Sequence, residues 1–463
     1  MGRLPALVVV VCACGVALAG QGAPRPVSLL ITGGTVVTVD AARRVIANGA
    51  VAIDGTDIVG VDTAEAIAKQ FVGADTIDAT GQLVLPGLIN THTHAPMVLY
   101  RGLADDLALM DWLNNYMFPA EAKTVSPEFV RAGTRLAALE MIESGTTTFA
   151  DMYYFEEEVA RETKAAGLRG VLGQTVIQFP VADAKTPAEA LARAEAFIRR
   201  FKDDPLITPA VAPHAMYTLD GPTLKAAREL SRQYDVPTLI HLAETRDEIQ
   251  TAQERFAQSP TAYLESLGFW GPGVVAAHAV WVSEAEIALL KQRGVGVSHN
   301  PESNMKLASG VAPVTGYLRA GVALGLGTDG AASNNDMDMF EAMRVASLLQ
   351  KLQTADPRAV SASTALELAT MGGARVLGMD RLIGSLERGK RADVIVVETR
   401  SARQTPMYDP VSHLVYTTRG DDVRYTVVNG RVLMRDRKVL TLDAAAVLAE
   451  ARGWAEKVRA AVR

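Results

Sequence analysis

The run Leu83-Val84-Leu85-Pro86-Gly87-Leu88-Ile89-Asn90-Thr91-His92-Thr93-His94 carries no charged residue and ends in two histidines. An apolar stretch of this length, rich in aliphatic side chains, suits a strand buried on both faces, as in parallel sheets. Residues two apart on a strand project from one face, so His92 and His94 can grip one ion. His-x-His alone occurs by chance in many proteins; its place at the end of a buried run gives it weight here. Seven further runs of similar texture follow at 146–152, 169–176, 207–214, 238–242, 274–278, 295–299 and 322–328, each trailed by a helical stretch. Eight such units predict an α/β chain with a (β/α)8 TIM barrel over residues 86–380, whose chemistry belongs at the C-terminal ends of the strands.

Outside the barrel the texture changes to short β-branched runs broken by glycine, such as Thr35-Val36-Val37-Thr38-Val39 and, far downstream, Asp393-Val394-Ile395-Val396-Val397. These predict a small β-sandwich domain built from N- and C-terminal segments, residues 27–85 and 381–440, with a C-terminal helix over 441–463. At the start, Arg3 and an apolar stretch closing on Ala17-Leu18-Ala19 read as a secretory signal peptide over residues 1–19. The stretch is short for a transmembrane helix, which needs about 20 residues. The expectation is a secreted or periplasmic protein with no stable membrane span after cleavage; an uncleaved anchor and a lipoprotein at Val11-Cys12-Ala13-Cys14 are the rival readings. Both cysteines of the chain lie in that segment, so the mature chain would have no disulfide and no thiolate chemistry.

The 463 residues are 49% hydrophobic and 21% charged, a globular balance that excludes disorder. The net charge of −6 offers no basic field for a polyanion, so a small-molecule substrate is expected and nucleic acid is not. A homo-oligomer is left open. Six of the seven histidines, His92, His94, His214, His241, His278 and His299, fall at or just past the ends of predicted barrel strands, where core filling alone would leave each imidazole needing a buried partner.

Pro86-Gly87-Leu88-Ile89-Asn90-Thr91-His92-Thr93-His94, His241-Leu242-Ala243-Glu244, Ala276-Ala277-His278 and Gly327-Thr328-Asp329-Gly330 occur in the order seen in the metal-dependent amidohydrolase superfamily, which the chain resembles over nearly its whole mature length. Within it, Arg101-Gly102-Leu103-Ala104-Asp105-Asp106-Leu107, Ser298-His299-Asn300-Pro301 and Thr328-Asp329-Gly330-Ala331-Ala332-Ser333-Asn334-Asn335 are similar to the 5-methylthioadenosine/S-adenosylhomocysteine deaminases. The resemblance implies that His92, His94, His241 and Asp329 hold one divalent ion, and that His278 and Asp329 handle the proton of the attacking water. It implies that Glu244 protonates the purine ring, and that His214 and Glu121 contact the purine and ribose ends of the substrate, with Glu244 and Asp329 also touching it. Nitrogen and carboxylate ligands suit zinc first and iron(II) second. Trp112 reads equally as a pocket wall or a core aromatic.

The expected activity is hydrolytic deamination of an adenine-type nucleoside, 5-methylthioadenosine, S-adenosylhomocysteine or adenosine, giving the inosine-type product and ammonia. Alternatives are an amidohydrolase acting on another N-heterocycle (guanine-like, triazine or cyclic amide) and a secreted metal-containing binding protein. Two motifs are decoys. Gly325-Leu326-Gly327-Thr328-Asp329-Gly330 fits a dinucleotide loop but would set Asp329 against a pyrophosphate. Gly384-Ser385-Leu386-Glu387-Arg388-Gly389-Lys390-Arg391 lacks the hydroxyl a P-loop needs for magnesium and reads as a turn. The chain departs from the resemblance at Gln174, which aligns where an arginine would meet an amino-acid carboxylate; Arg101 is the other candidate cation for that task. The run Glu156-Glu157-Glu158 reads as a solvated helix start.

Overall fold

The computed structural model describes Gly2 and residues 23–462; the leader reading of residues 1–19 lies outside the described residues apart from Gly2. No helix among the described residues is long and apolar enough to cross a membrane. The strands are β1 (Arg25–Val37), β2 (Val45–Asp54), β3 (Asp57–Thr63), β4 (Phe71–Asp78), β5 (Gln82–Pro86), β6 (Leu88–Thr93), β7 (Thr146–Tyr153), β8 (Arg169–Val176), β9 (Ile207–Pro213), β10 (Thr238–Leu242), β11 (Val274–His278), β12 (Gly296–His299), β13 (Ala323–Leu326), β14 (Val394–Glu398), β15 (Val423–Val428), β16 (Arg431–Arg435) and β17 (Lys438–Val439). β6 to β13 form an eight-stranded parallel sheet in chain order, and the other nine make a second sheet in the order β17-β16-β15-β14-β5-β1-β2-β3, with β4 on β1.

The predicted run 83–94 is two strands rather than one. β5 pairs antiparallel with β14, Pro86 opposite Val394, and belongs to the second sheet. The chain then breaks at Gly87, where a Cβ would lie 2.1 Å from the Thr147 hydroxyl, and enters the barrel as β6. Apolar residues fill both strands because both are buried, so composition alone could not show the break. The second sheet closes over its own cluster, including Ile31, Ile53, Val84, Val394 and Val427.

Among the described residues β6 and β13 share no ladder, and the barrel is sealed there by side chains and loop backbone. The Thr91 hydroxyl donates to the Leu326 carbonyl (2.9 Å), and the Asp329 N–H donates to the His92 carbonyl (3.0 Å). Gly325 and Gly327 permit this approach: Cβ atoms there would meet Thr91 Cγ2 at 2.7 Å and Asn300 Oδ1 at 2.4 Å. The glycines of the dinucleotide-like motif therefore serve a packed seam. The P-loop-like stretch is a loop into β14, its Arg391 hydrogen-bonded to Thr56 (2.8 Å) and paired with Asp57.

The long helix Pro127–Ser144 covers the barrel beside β7 and the short turn Ala95–Tyr100 that follows β6, capped by the Ser126 hydroxyl and ended by left-handed Gly145. The helix Ala444–Val462 lies on it, with Arg135 on Glu450 (2.7 Å to each oxygen) and Trp454 edge-on to Phe129. The acidic run is not solvated throughout. Glu156 is fully buried and accepts the Tyr153 N–H (2.7 Å), while Glu158 meets Arg131 and Arg161. The Glu156 side chain turns back to hold the end of β7, a task the sequence run does not reveal. Burial, reinforced by Asp151, pushes its carboxyl well above the usual range.

Barrel and second sheet are pinned by a buried ion pair. Arg169, at the start of β8, reaches Asp393 through Nε (3.2 Å) and Nη2 (3.3 Å), and Asp393 also accepts the Asn429 N–H (2.7 Å). Both side chains are only 3% exposed. Arg169→Met leaves a buried carboxylate without its cation and is expected to cost about 3–5 kcal/mol, read as a fall in the denaturation midpoint; a change within error would show that the pair carries no weight.

Candidate active site

The candidate residues meet at the C-terminal mouth of the barrel. His92 lies on β6 with His94 just beyond it, His241 on β10, His278 on β11, and Asp329 in the loop after β13. Nε2 of His92 and Nε2 of His94 each lie 3.3 Å from Asp329 Oδ1, and His94 Nε2 lies 3.3 Å from His241 Nε2. Metal–nitrogen bonds of about 2.0–2.1 Å on a tetrahedron place neighbouring ligand atoms about 3.3 Å apart.

The orientation of each ring follows from its other nitrogen. His94 Nδ1 donates to the Met152 carbonyl (2.6 Å) and His241 Nδ1 donates to the His214 carbonyl (2.8 Å). A carbonyl only accepts, so both Nδ1 atoms carry the hydrogen, which leaves both Nε2 atoms turned inward towards each other and Asp329 as the atoms that share a proton or a metal ion. Two facing lone pairs repel unless positive charge lies between them, and His92 Nε2 is buried with no hydrogen-bond partner. The donor set fits a resident divalent ion.

The electrostatics agree. Burial lowers His92 to about 4 against the pull of Asp329, and burial with the neighbouring imidazoles drives His241 well below its usual value. At His94 burial is outweighed by the hydrogen bond and charge of Asp329, which push it up to about 9. Burial opposes ionisation of Asp329 too, but the His92 and His94 contacts hold its carboxyl well below the usual range. The cluster wants one positive centre between Asp329 and the imidazoles.

Asp329 is aimed from behind. Its Oδ1 accepts the Gly330 N–H (2.8 Å), and its Oδ2 accepts the Ser303 (2.6 Å) and Ser333 (3.0 Å) hydroxyls. Its backbone φ of 66° and that of His278, 69°, are left-handed, a strained choice for residues with side chains and one that clusters at functional sites. His278 Nδ1 donates to Asn304 Oδ1 (2.9 Å), leaving Nε2 to face Glu244 Oε2 (3.7 Å) and Asp329 Oδ2 (4.0 Å).

Glu244 is buried, accepts the Ser309 hydroxyl (3.1 Å), and has its pKa raised by burial against the pull of His278. Its loop is held by Glu248, whose carboxylate accepts the N–H groups of left-handed Ala243 (2.9 Å) and of Glu244 (3.0 Å). Sequence reasoning missed Glu248, although Thr245 three residues before it carries the signal of a helix start, and the Thr245 hydroxyl does accept the Glu248 N–H (3.3 Å). Asp151 was missed too: Oδ1 accepts the Thr93 hydroxyl (2.6 Å) and the Ala95 N–H (2.5 Å), fixing the chain on both sides of His94. Nothing in the spacing of Asp151 marks it.

His214 and Glu121 line the same pocket, with Trp112, Tyr153 and Thr175. Burial, with His94 and His92 nearby, takes His214 down to about 3, and its Nδ1 meets the Thr218 hydroxyl (3.0 Å). Glu121 accepts the Tyr153 hydroxyl (2.6 Å), and burial pushes it up to about 7 against that bond. His299 is buried but does not line the pocket, and neither of its ring nitrogens finds a partner.

Gln174 does not occupy the position expected of it. It is fully buried, with Nε2 on Asp183 Oδ2 (2.8 Å), while the next residue, Thr175, faces the pocket, because successive strand residues point to opposite sides. Arg101 is paired with Glu140 away from the pocket. No lysine or arginine is among the lining residues; Lys185 borders an adjoining cavity that shares Phe118, Glu121 and Tyr154 with it.

With this geometry in place, the comparisons are specific. The chain is 45% identical over 437 residues to 5-methylthioadenosine/S-adenosylhomocysteine deaminase 1 of Syntrophus aciditrophicus (strain SB), covering 94% of this chain and 99% of that one. It is 43% identical over 439 residues to 5'-deoxyadenosine deaminase of Methanosarcina mazei, covering 94% and 99% respectively. The crystal structure of an adenosine deaminase from Xanthomonas campestris with bound zinc superposes with a TM-score of 0.93 at 40% identity, over 94% of this chain and 100% of that one. The Amidohydrolase family profile matches residues 83–433, and the chain belongs to that family.

Proposed function

We propose that the protein deaminates adenine-type nucleosides by hydrolysis, using one zinc or iron(II) ion held by His92, His94, His241 and Asp329. The observation that carries this reading is Glu244, a buried carboxyl whose pKa burial raises, 3.7 Å from His278 in the pocket that the histidines and Asp329 line. The deaminases and the zinc-containing neighbour that the chain resembles support it.

When bound, the ion supplies Lewis acidity that makes water a nucleophile at neutral pH. Asp329 Oδ2 and His278 Nε2 are placed to accept the proton lost in the attack on the amino-bearing carbon. Glu244 gives its proton to the adjacent ring nitrogen, which makes the carbon electrophilic; the proton taken from water then passes to the amino group, which leaves as ammonia while the new hydroxyl returns its proton to Glu244 and becomes the carbonyl. The net change is addition of water and loss of ammonia, with both acid–base groups restored. Neutral His214 and the Glu121 carboxylate bind the two ends of the nucleoside, and Trp112 walls the pocket. With no lysine or arginine among the described residues that line it, the pocket suits an uncharged 5′ substituent better than an amino-acid tail, since a buried carboxylate without a partner is costly. The deciding experiment is an ammonia-release screen over adenosine, 5′-deoxyadenosine, 5′-methylthioadenosine and S-adenosylhomocysteine, with guanine and a triazine as controls. Turnover confined to the controls would overturn the reading.

Purified protein is expected to carry about one zinc or iron ion per chain, and His92→Ala or His94→Ala to lose most of it. Elemental analysis checks this, and unchanged content in both variants would refute the ligand set. Glu244→Gln should keep its metal yet lose turnover about 10²–10⁴-fold, the usual contribution of a positioned acid or base; near-normal kcat in the metal-replete variant would remove Glu244 from the mechanism. For Glu121, raised to about 7, the ionised form that accepts ribose hydroxyls is present above that pH and lost below it. KM should therefore climb as pH falls through about 7, and Glu121→Gln should have a high KM without that dependence. A wild-type KM flat from pH 5 to 9 would contradict this.

A further inference from the structure

Behind the catalytic pocket, three carboxylates from separate segments converge. Glu302 lies on the short helix Pro301–Lys306, Asp336 in the loop after Asp329, and Glu341 in the first turn of the helix Met339–Thr354. Each offers an oxygen within 4.8 Å of the others. None of them forms an ion pair with a described cation. Lys306, one turn beyond Glu302, is engaged by Asp105 (2.5 Å) and Asn335 (2.6 Å).

Glu302 is the telling member. Both its carboxylate oxygens are sealed from solvent and neither meets a hydrogen-bond donor. A buried carboxylate without donors is costly, and two further carboxylates beside it raise the cost unless protons or a cation compensate. Burial and the charges of Asp336, Glu341 and Asp338 drive Glu302 well above its usual range, and burial pushes Asp336 up to about 7.

We propose that Glu302, Asp336 and Glu341 form a second cation site, separate from the catalytic one, that takes a hard divalent ion of the calcium type. The donors are all oxygen, which disfavours zinc. Glu302 has two free oxygens for bidentate contact, and residues from three segments give the irregular, adaptable geometry that calcium accepts and magnesium resists.

The location gives the ion a task. The helix with Glu302 also carries Ser303, which donates to Asp329 Oδ2, and Asn304, which orients His278; the loop with Asp336 carries Ser333, the second donor to Asp329 Oδ2. A cation shared by Glu302 and Asp336 clamps together the two segments that aim the catalytic carboxylate and imidazole. The ion is structural and takes no part in bond breaking.

The test is a calcium titration of full-length protein whose catalytic metal content has been fixed by elemental analysis. Calcium should raise the thermal unfolding midpoint by a few degrees in a saturable way, with magnesium weaker. Glu302→Gln and Asp336→Asn should abolish the calcium response while leaving the catalytic metal in place. Equilibrium dialysis of the wild type with radioactive calcium reads the same site without any variant and should find about one ion per chain. No calcium bound in dialysis, or an identical midpoint rise in both variants, overturns the proposal. So does stabilisation of both variants at alkaline pH in a wild type indifferent to calcium, since that shows the carboxyls sharing protons instead.

Discussion

The hydrogen bond from the Asp329 N–H to the His92 carbonyl closes the barrel and sets the Asp329 carboxylate against the histidines in the same stroke. β6 and β13 are first and last in the barrel, so whatever is attached to their ends meets only if the cylinder shuts. The two histidines of β6 depend on that closure for their carboxylate, and the carboxylate depends on it for its charge partners. The left-handed turn at Asp329 is the strained element that makes the contact, and the buried hydroxyls of Ser303 and Ser333 hold it there.

Around this point the chain keeps most titratable groups neutral. His92, His214 and His241 are held in their unprotonated form by burial and Glu244 and Glu121 are pulled towards their protonated form, while Asp329 is driven firmly to carboxylate and raises its neighbour His94 to about 9. Opposite displacement of two carboxyls in one pocket is how a single site holds both a proton donor and a proton acceptor at one pH.

Much of this was legible in the sequence because chemistry-bearing residues at strand ends have a signature: an apolar run, then a histidine or an acid. His92, His241, His278 and Asp329 all follow that rule. What the sequence hid obeys no local pattern. Asp151 and Ser303 act across 56 and 26 residues of chain, on backbone and carboxylate atoms that only tertiary structure brings near. Gln174 was misplaced for a subtler reason: alignment fixes a position along a strand, whereas one step along it reverses the facing direction. The split of 83–94 at Gly87 was invisible because both halves are equally buried, in different sheets.

That split governs the order in which the molecule can be completed. β5 is followed within two residues by the first barrel strand, yet its antiparallel neighbour β14 is the product of chain that emerges only after the whole barrel has been synthesised. Until then one edge of β5, a fully buried apolar strand in the finished protein, is unpaired and open to any other strand. A growing chain thus carries this apolar edge exposed for the time needed to make some 300 residues, at about 5–20 residues per second a matter of tens of seconds. Shortening that interval by circular permutation, so that residues 394–439 precede β1, should favour soluble expression over aggregation, and the benefit would come entirely from kinetics, with the native contacts unchanged.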